Sequence, residues 1–507
     1  MLLHHLFEKS ARHTPAKVAL VFEGQRLSYA QIDAQATCLA ASLQRCGVQR
    51  GDRVASFLDN GVEAVVSLYA TLKCGGVFMP INPLTKSDKL GYLLNDARAS
   101  ALITHAALRA VYADALAQNK SVHTCFVVGA VDPAWADTRC VAYSERCENA
   151  FDPPFAIDQD LAGIIYTSGS TGEPKGVMLT HLNMVSSARS ICSYLALQAD
   201  DVILCALPLA FDYGLYQILM GHLVGATVVL ERSFSFPVKV LEVMTREQVT
   251  VFPGVPTMFS LLMNLKSLRD YPLVTLRKIT NTAAVLPEEH IHQLRNLFPQ
   301  AQLYSMYGLT ECKRVTYLPP DQLDTRPTSV GRGMPNQEVW LVDTAGNRLP
   351  NGNTGELVIR GSNVMRGYWE KPVQTAERLK PGPISGETVL YSGDVFRTDA
   401  EGYLYFVARI DDIIKSRGEK VSPREVEAVL YEIPGVLEAA VIGVPDPVLG
   451  EAVKAFLTLK KGVTSSEREV IRYCLSRLES FMAPKSVVFL DAFPKTDTGK
   501  IKKNHLA

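Results

Sequence analysis

The sequence has no excess charge of either sign: Lys and Arg together number 52, as do Asp and Glu, for a formal net charge of zero. Without a basic surplus there is no electrostatic footprint for nucleic acid or an anionic membrane. Paired cysteines are also missing. The ten cysteines, at 38, 46, 74, 125, 140, 147, 192, 205, 312 and 474, form no CxxC pair and no zinc-like spacing, which fits reduced thiols and not a disulfide framework. No apolar run approaches the roughly 18–20 residues of a membrane span. The opening MLLHHLFEKSARHTP has neither the charged start nor the cleavage site of a signal peptide. The expectation is a cytoplasmic protein with no membrane span and no nucleic-acid partner. Internal repeats and low-complexity tracts are absent too, which excludes a repeat architecture.

What is present is material for large cores. With 507 residues, 47% of them hydrophobic, the chain exceeds the length at which one core stops growing, about 250–300 residues, so at least two domains are expected. Strand-like runs at Lys17–Phe22, Arg53–Phe57, Val77–Ile81 and Ala101–Thr104 alternate with helical patterns at Tyr29–Gln44 and Gly61–Cys74. Residues 120–157 read as an irregular connector. The alternation resumes at Asp201–Leu207, Ala226–Leu230, Thr250–Val255 and Arg277–Asn281, with helices at Pro237–Glu247 and Pro287–Leu297. Such alternation indicates α/β layers with mostly parallel sheets. From Ser329 to Phe406 the texture turns to short strands and turns. A final stretch has strands at Glu438–Gly443 and Ala452–Leu459 and helices at Pro423–Glu432 and Glu467–Leu478. The expected fold is α/β: a large N-terminal domain, 1–410, of two α/β layered subdomains plus a small β-barrel-like subdomain at about 329–410. A small α+β C-terminal domain, 411–507, follows.

Chemistry concentrates first in YTSGSTGEPKGVMLTH, Tyr166–His181. Glycines let the backbone turn and present N–H groups, hydroxyls donate further hydrogen bonds, and lysine adds a mobile positive charge, a composition suited to a polyphosphate. It is not a Walker sequence, since GxxxxGK[ST] is absent. YGLTE (Tyr307–Glu311), YSGD (Tyr391–Asp394), RIDDIIKSRGEKVSPREVE (Arg409–Glu427) and PKTDTGK (Pro494–Lys500) follow in order.

Together these motifs, with LKCGGVFMPINP at Leu72–Pro83, resemble the adenylate-forming superfamily over essentially the whole chain. That superfamily includes acyl- and aryl-CoA ligases, peptide-synthetase adenylation domains and firefly luciferase. The resemblance implies a carboxylate attacking the α-phosphate of ATP, then transfer of the acyl group from its adenylate to a thiol of coenzyme A or of a carrier protein's phosphopantetheine. It implies that Thr167, Ser168, Gly169, Ser170, Thr171, Gly172 and Lys175 hold the phosphates, with Thr310 touching phosphate and Glu311 binding Mg²⁺. Tyr307 and Gly308, with Ala283 and Ala284, are placed around the adenosine; Asp394 and Arg409 face the ribose. Lys500 matches the catalytic lysine and Asp411 the hinge of the C-terminal domain. Ala408 departs from the usual glycine before the arginine.

Substrate choice is expected from Phe211, Asp212, Tyr216, Met306 and Arg314. In LPLAFDYGL, Leu207–Leu215, Phe211 and Asp212 stand where many acyl-CoA ligases carry a histidine, and resemble the peptide-synthetase pattern in which the aspartate meets a substrate ammonium. Asp212 capping a helix, or pairing with Lys313 or Arg314, stays open. Ala283 and Ala284 in TNTAAVLP replace a glycine-rich loop and should narrow the slot. The pattern favours a small amino acid such as proline, loaded on a carrier protein acting in trans, over an acyl or aryl acid loaded on coenzyme A. A non-catalytic nucleotide-binding relative is the reading from another class, and a luciferase-like oxygenase a further one.

Overall fold

The computed structural model describes the chain except residues 131–136, 138, 146–150, 169–173, 283–285, 417–418, 447–449, 479, 496–500 and 507. The chain divides into two compact units. One comprises Met1–Glu338 with Ile359–Leu390, the other Val339–Val358 with Tyr391–Ala507.

The first unit holds two large sheets whose central strands are continuous apolar runs, as expected where helices cover both faces. In the nine-stranded sheet the neighbours run Arg332–Gly333, Thr316–Leu318, Gln302–Tyr307, Lys278–Asn281, Val251–Gly254, Val202–Cys205, Thr227–Leu230, Val18–Phe22 and Gln25–Ser28. From Gln302–Tyr307 through Val18–Phe22 every pairing is parallel. The chain leaves Val202–Cys205 for a neighbour on one side, then returns to Val251–Gly254 on the other. That reversal opens a crevice beyond the carboxyl ends of the two strands, where open α/β sheets place their ligands.

The eight-stranded sheet runs Gly367–Tyr368, Pro174–Thr180, Leu161–Ser168, Val77–Ile81, Arg53–Phe57, Ala101–His105, Thr124–Val128 and Cys140–Ala142. Its last two strands lie inside the stretch read as a connector, and both pair in parallel. Of the strands after Ser329, Arg332–Gly333 and Gly367–Tyr368 thus serve the large sheets. The others form a sheet of five.

In the second unit, Gly450–Leu459 is flanked by Val436–Asp446, Ile414–Ser416 and Ser486–Phe489. Helices Pro423–Tyr431 and Glu467–Arg477 contribute Val426, Leu430, Val470 and Cys474 to a core with Val441, Val453 and Leu457. Ser466 and Glu469 form a reciprocal capping box at the start of the second helix, a device that stabilises by about 1 kcal/mol. This is the small α+β part expected from the sequence.

Helix Asp212–Val224 lies at the centre of the first unit, with ten consecutive buried residues from Tyr213 to His222. Gly214 permits its approach to the preceding loop, since a Cβ there would stand 2.3 Å from the Pro208 carbonyl oxygen. At its far end His222 is fully buried, within 2.7 Å of the Tyr69 hydroxyl and 3.2 Å of the Ala19 carbonyl. A carbonyl only accepts, so Nε2 donates to it and Nδ1 accepts from Tyr69. The ring is neutral.

Burial pulls His222 and His181 down to about 4, and His4 to about 2. Unfolded, each ring takes a proton at about pH 6.5, so the unfolded chain binds more protons below that value and stability falls as pH drops towards 4. At pH 5 each such histidine accounts for about 2 kcal/mol. The thermal midpoint is therefore expected to fall between pH 7 and 5, and His222→Asn to lower it at pH 7 while making the fall shallower. An equal fall in both proteins would contradict this account.

Candidate functional site at the carboxyl ends of the parallel strands

After Tyr307 the chain makes one tight excursion. Val315 N–H donates back to the Tyr307 carbonyl at 3.0 Å, so residues 308–314 leave the nine-stranded sheet and return beside their point of exit. Gly308 makes this possible: a Cβ there would stand 2.4 Å from the Lys313 carbonyl oxygen and 3.0 Å from Arg314 Cα. Lys313 adopts φ 66°, a left-handed conformation uncommon outside glycine. Asn363 secures it, its amide donating to the carbonyls of Cys312 at 2.8 Å and Arg314 at 3.3 Å. Tyr307, Gly308, Thr310 and Glu311 stay half-buried, whereas Lys313 and Arg314 are buried.

Glu311 is held twice. Met365 N–H donates to its carbonyl at 2.7 Å and the Tyr368 hydroxyl to its Oε1 at 2.7 Å. Oε2 has no partner among the described residues. A half-buried carboxylate with one free oxygen and no cation beside it suits Mg²⁺, which takes one or two carboxylates and completes its shell with water and phosphate oxygens. Tyr368 also connects this acid to the hairpin that bears Lys175. Its strand pairs with Pro174–Thr180, and Lys175 Nζ lies 5.5 Å from its ring centroid. Thr167 stands opposite Lys175 across the hairpin. Tyr368 escaped the sequence reading, although RGYW was in view; Gly367, at φ 144°, was its available signal.

The neighbouring loop, from the end of Val202–Cys205, delivers Phe211 and Asp212. Phe211 is the residue before the helix and Asp212 its first residue, with no side-chain capping bond. Asp212 Oδ2 instead lies 3.5 Å from Lys313 Nζ. Burial, opposed by Asp212, lowers the Lys313 pKa to about 7. The ammonium also stands 4.5 Å from the Tyr216 ring centroid and 5.4 Å from that of Tyr213. Arg314 lies 5.0 Å from the Tyr213 centroid, and the Tyr213 hydroxyl donates to the Thr280 carbonyl at 2.9 Å. Met306 is buried on the adjacent strand, its sulfur 3.0 Å from the Tyr194 hydroxyl.

In the second unit, Asp394 and Arg409 face each other on paired strands, Oδ1 to Nε 3.4 Å. Asp394 is buried, and the Arg409 side chain is 66% exposed. Asp411 falls in the 3₁₀ turn Ile410–Asp412. Gly169, Ser170, Thr171, Gly172, Ala283, Ala284 and Lys500 lie outside the described residues, as does the side chain of Ser168.

Two family models match, an AMP-binding enzyme model over residues 7–369 and an AMP-binding enzyme C-terminal domain over 425–500. This chain belongs to the AMP-binding, adenylate-forming enzymes. It is 32% identical to a long-chain-fatty-acid–CoA ligase of Bacillus subtilis, covering 99% of this chain and 94% of that protein. To a feruloyl-CoA synthase of Amycolatopsis it is 34% identical, covering 98% and 97%. The solved anthranilate CoA ligase AuaEII, in complex with anthranoyl-AMP, superposes with a TM-score of 0.91 at 25% identity, covering 100% of this chain and 96% of that one. The adenylate-forming enzyme described here is accordingly an AMP-forming ligase. Among its described residues no helix is long and apolar enough to cross a membrane.

The excursion makes its own prediction. Gly308→Ala forces the Lys313 carbonyl away, so stability is expected to fall by about 1–3 kcal/mol, read as a lower thermal midpoint, with adenylate formation reduced in the folded fraction. A midpoint and activity equal to wild type would show that the turn has slack.

Proposed function

We propose that this enzyme activates a small carboxylic acid with ATP and passes the acyl group to the thiol of coenzyme A. The observation that carries the reading is the Tyr368 hydroxyl on Glu311, with Lys175 beside the same ring: an acid suited to a divalent cation held next to the base of a phosphate-loop hairpin. In the first half-reaction a carboxylate oxygen bonds to the α-phosphorus and the bond to pyrophosphate breaks. In the second, thiolate sulfur bonds to the carbonyl carbon and AMP leaves with that oxygen. In-line displacement at phosphorus asks mainly for positioning and charge neutralisation.

Thr167, Lys175 and Thr310 orient the phosphates, and Tyr307 lies against adenine. Asp394 accepts from the ribose hydroxyls and Arg409 donates to the ribose. Glu311 would hold Mg²⁺, which would supply positive charge to the phosphates when bound. Lys500 neutralises charge developing between the carboxylate and the α-phosphate. The segment 411–507 turns about Asp411 as a mobile domain against 1–410, withdrawing Lys500 between the half-reactions. The expectation of proline on a carrier protein rested on Asp212 meeting a substrate ammonium. Here the Lys313 ammonium already stands beside that carboxylate, which favours an acid without an amino group and the coenzyme A acceptor of the matched ligases.

Acid-dependent exchange between ATP and pyrophosphate, followed by thioester formation with coenzyme A, tests this reading. Lys500→Ala is expected to lower exchange by about 10²–10³-fold, the scale of losing one preorganised charge donor, without a change in thermal midpoint. Undiminished exchange would remove Lys500 from the mechanism. Absence of exchange with every acid supplied would favour a non-catalytic nucleotide-binding relative.

A further inference from the structure

Among the described residues no carboxylate pairs with the Arg314 guanidinium. The residue is 1% exposed, and its Nε has no hydrogen-bond partner among the described residues. The guanidinium lies over the face of Tyr213, centroid 5.0 Å away. A ring face attracts a cation but accepts none of the in-plane N–H groups that a guanidinium presents as a fork. The neighbouring carboxylate does not meet the need, because Asp212 lies 3.5 Å from Lys313 Nζ. Among the described residues Asp212 is thus the one acid beside these two buried basic side chains, and it stands with Lys313. Buried charges are ordinarily paired.

The place of this charge indicates what completes it. Tyr213 follows Asp212 directly, at the head of a helix that begins beside the crevice of the nine-stranded sheet. Phe211 and Asp212 at the start of that helix are half-buried, and Lys313 and Arg314 follow the half-buried Tyr307–Glu311 in one loop, so the cluster adjoins both. An amino-acid substrate would bring a further cation to Asp212 and take it from Lys313. A neutral acyl chain would leave Arg314 as it is. A carboxylate matches the fork in shape and charge.

We propose that Arg314 binds a second carboxylate at the non-reacting end of the substrate, so that the enzyme activates one carboxyl group of a dicarboxylic acid. The inference rests on the ligase reading above and names the substrate class of that same site. Activation consumes one carboxylate as described there. The other stays ionised against the guanidinium and undergoes no chemistry.

The test is a panel of ATP–pyrophosphate exchange rates with the full-length enzyme: aliphatic and aromatic dicarboxylic acids of graded length, the half-amide and monocarboxylic counterpart of each, and free amino acids. At least one diacid is expected to exceed its half-amide by more than about tenfold, since a site with a buried unpaired group rejects the analogue lacking its partner. Arg314→Gln, checked for folding by its thermal midpoint, is expected to lose that preference through a raised KM for the diacid. Equal or faster exchange with half-amides, monoacids or amino acids in the wild-type enzyme would overturn the inference and leave the ligase reading standing. Silence across the whole panel would overturn both. The wild-type comparison decides the matter even where the variant fails to fold.

Discussion

The hydrogen bond from the Tyr368 hydroxyl to Glu311 joins the two large sheets of the first unit. Glu311 hangs from a loop of the nine-stranded sheet, and Tyr368 belongs to the edge of the eight-stranded sheet, next to the strand bearing Lys175. The edge strand is itself pinned by backbone bonds, Arg366 N–H to Met178 and Trp369 N–H to Gly176, and by Thr375 Oγ1 accepting from Tyr368 N–H. A hydrogen bond to an ionised acceptor is among the stronger kinds. It fixes Glu311 relative to the strand bearing Lys175 without ligand present, and on the proposed roles of these two residues that is the preorganisation phosphoryl chemistry depends on.

The same loop that presents Glu311 turns its next charged residues inward. A seven-residue excursion, closed by Val315 on Tyr307 and clamped by Asn363, cannot leave Lys313 and Arg314 in solvent. They pack instead against Tyr213 and Tyr216 of the helix that Asp212 begins. The backbone geometry that presents Glu311 thereby also sets which charges lie against Tyr213 and Tyr216. Loop, helix and clamp form one unit, and a change in any of them should be felt at both ends of the substrate.

Much of this was legible in the sequence because periodicity and motif order are local signals. Strands such as Arg53–Phe57 and Val77–Ile81 appear as short apolar runs, and the ordered motifs pointed to the adenylate-forming family. Thr124–Val128 and Cys140–Ala142 were lost in an irregular segment, since a three-residue strand such as CVA has no alternation to read. Helix His4–His13 was missed for a related reason: its apolar positions are few, and Phe7 is buried by stacking 4.2 Å from Tyr69 on another helix. The Tyr368–Glu311 bond spans 57 residues and leaves no pattern in either segment. Asp212 was open as an ammonium acceptor, a helix cap or a partner of Lys313 or Arg314. Only the fold could choose, because Lys313 reaches it from a loop on a different strand.

The central claim, that a carboxylate oxygen becomes bonded to the α-phosphorus, has a direct isotopic signature. With the acid labelled by ¹⁸O in its carboxylate and coenzyme A present, a turnover should leave one ¹⁸O in the AMP and none in the pyrophosphate. Mass spectrometry of the two products reads both at once. Label in pyrophosphate or orthophosphate, or unlabelled AMP accompanying thioester, would contradict the account.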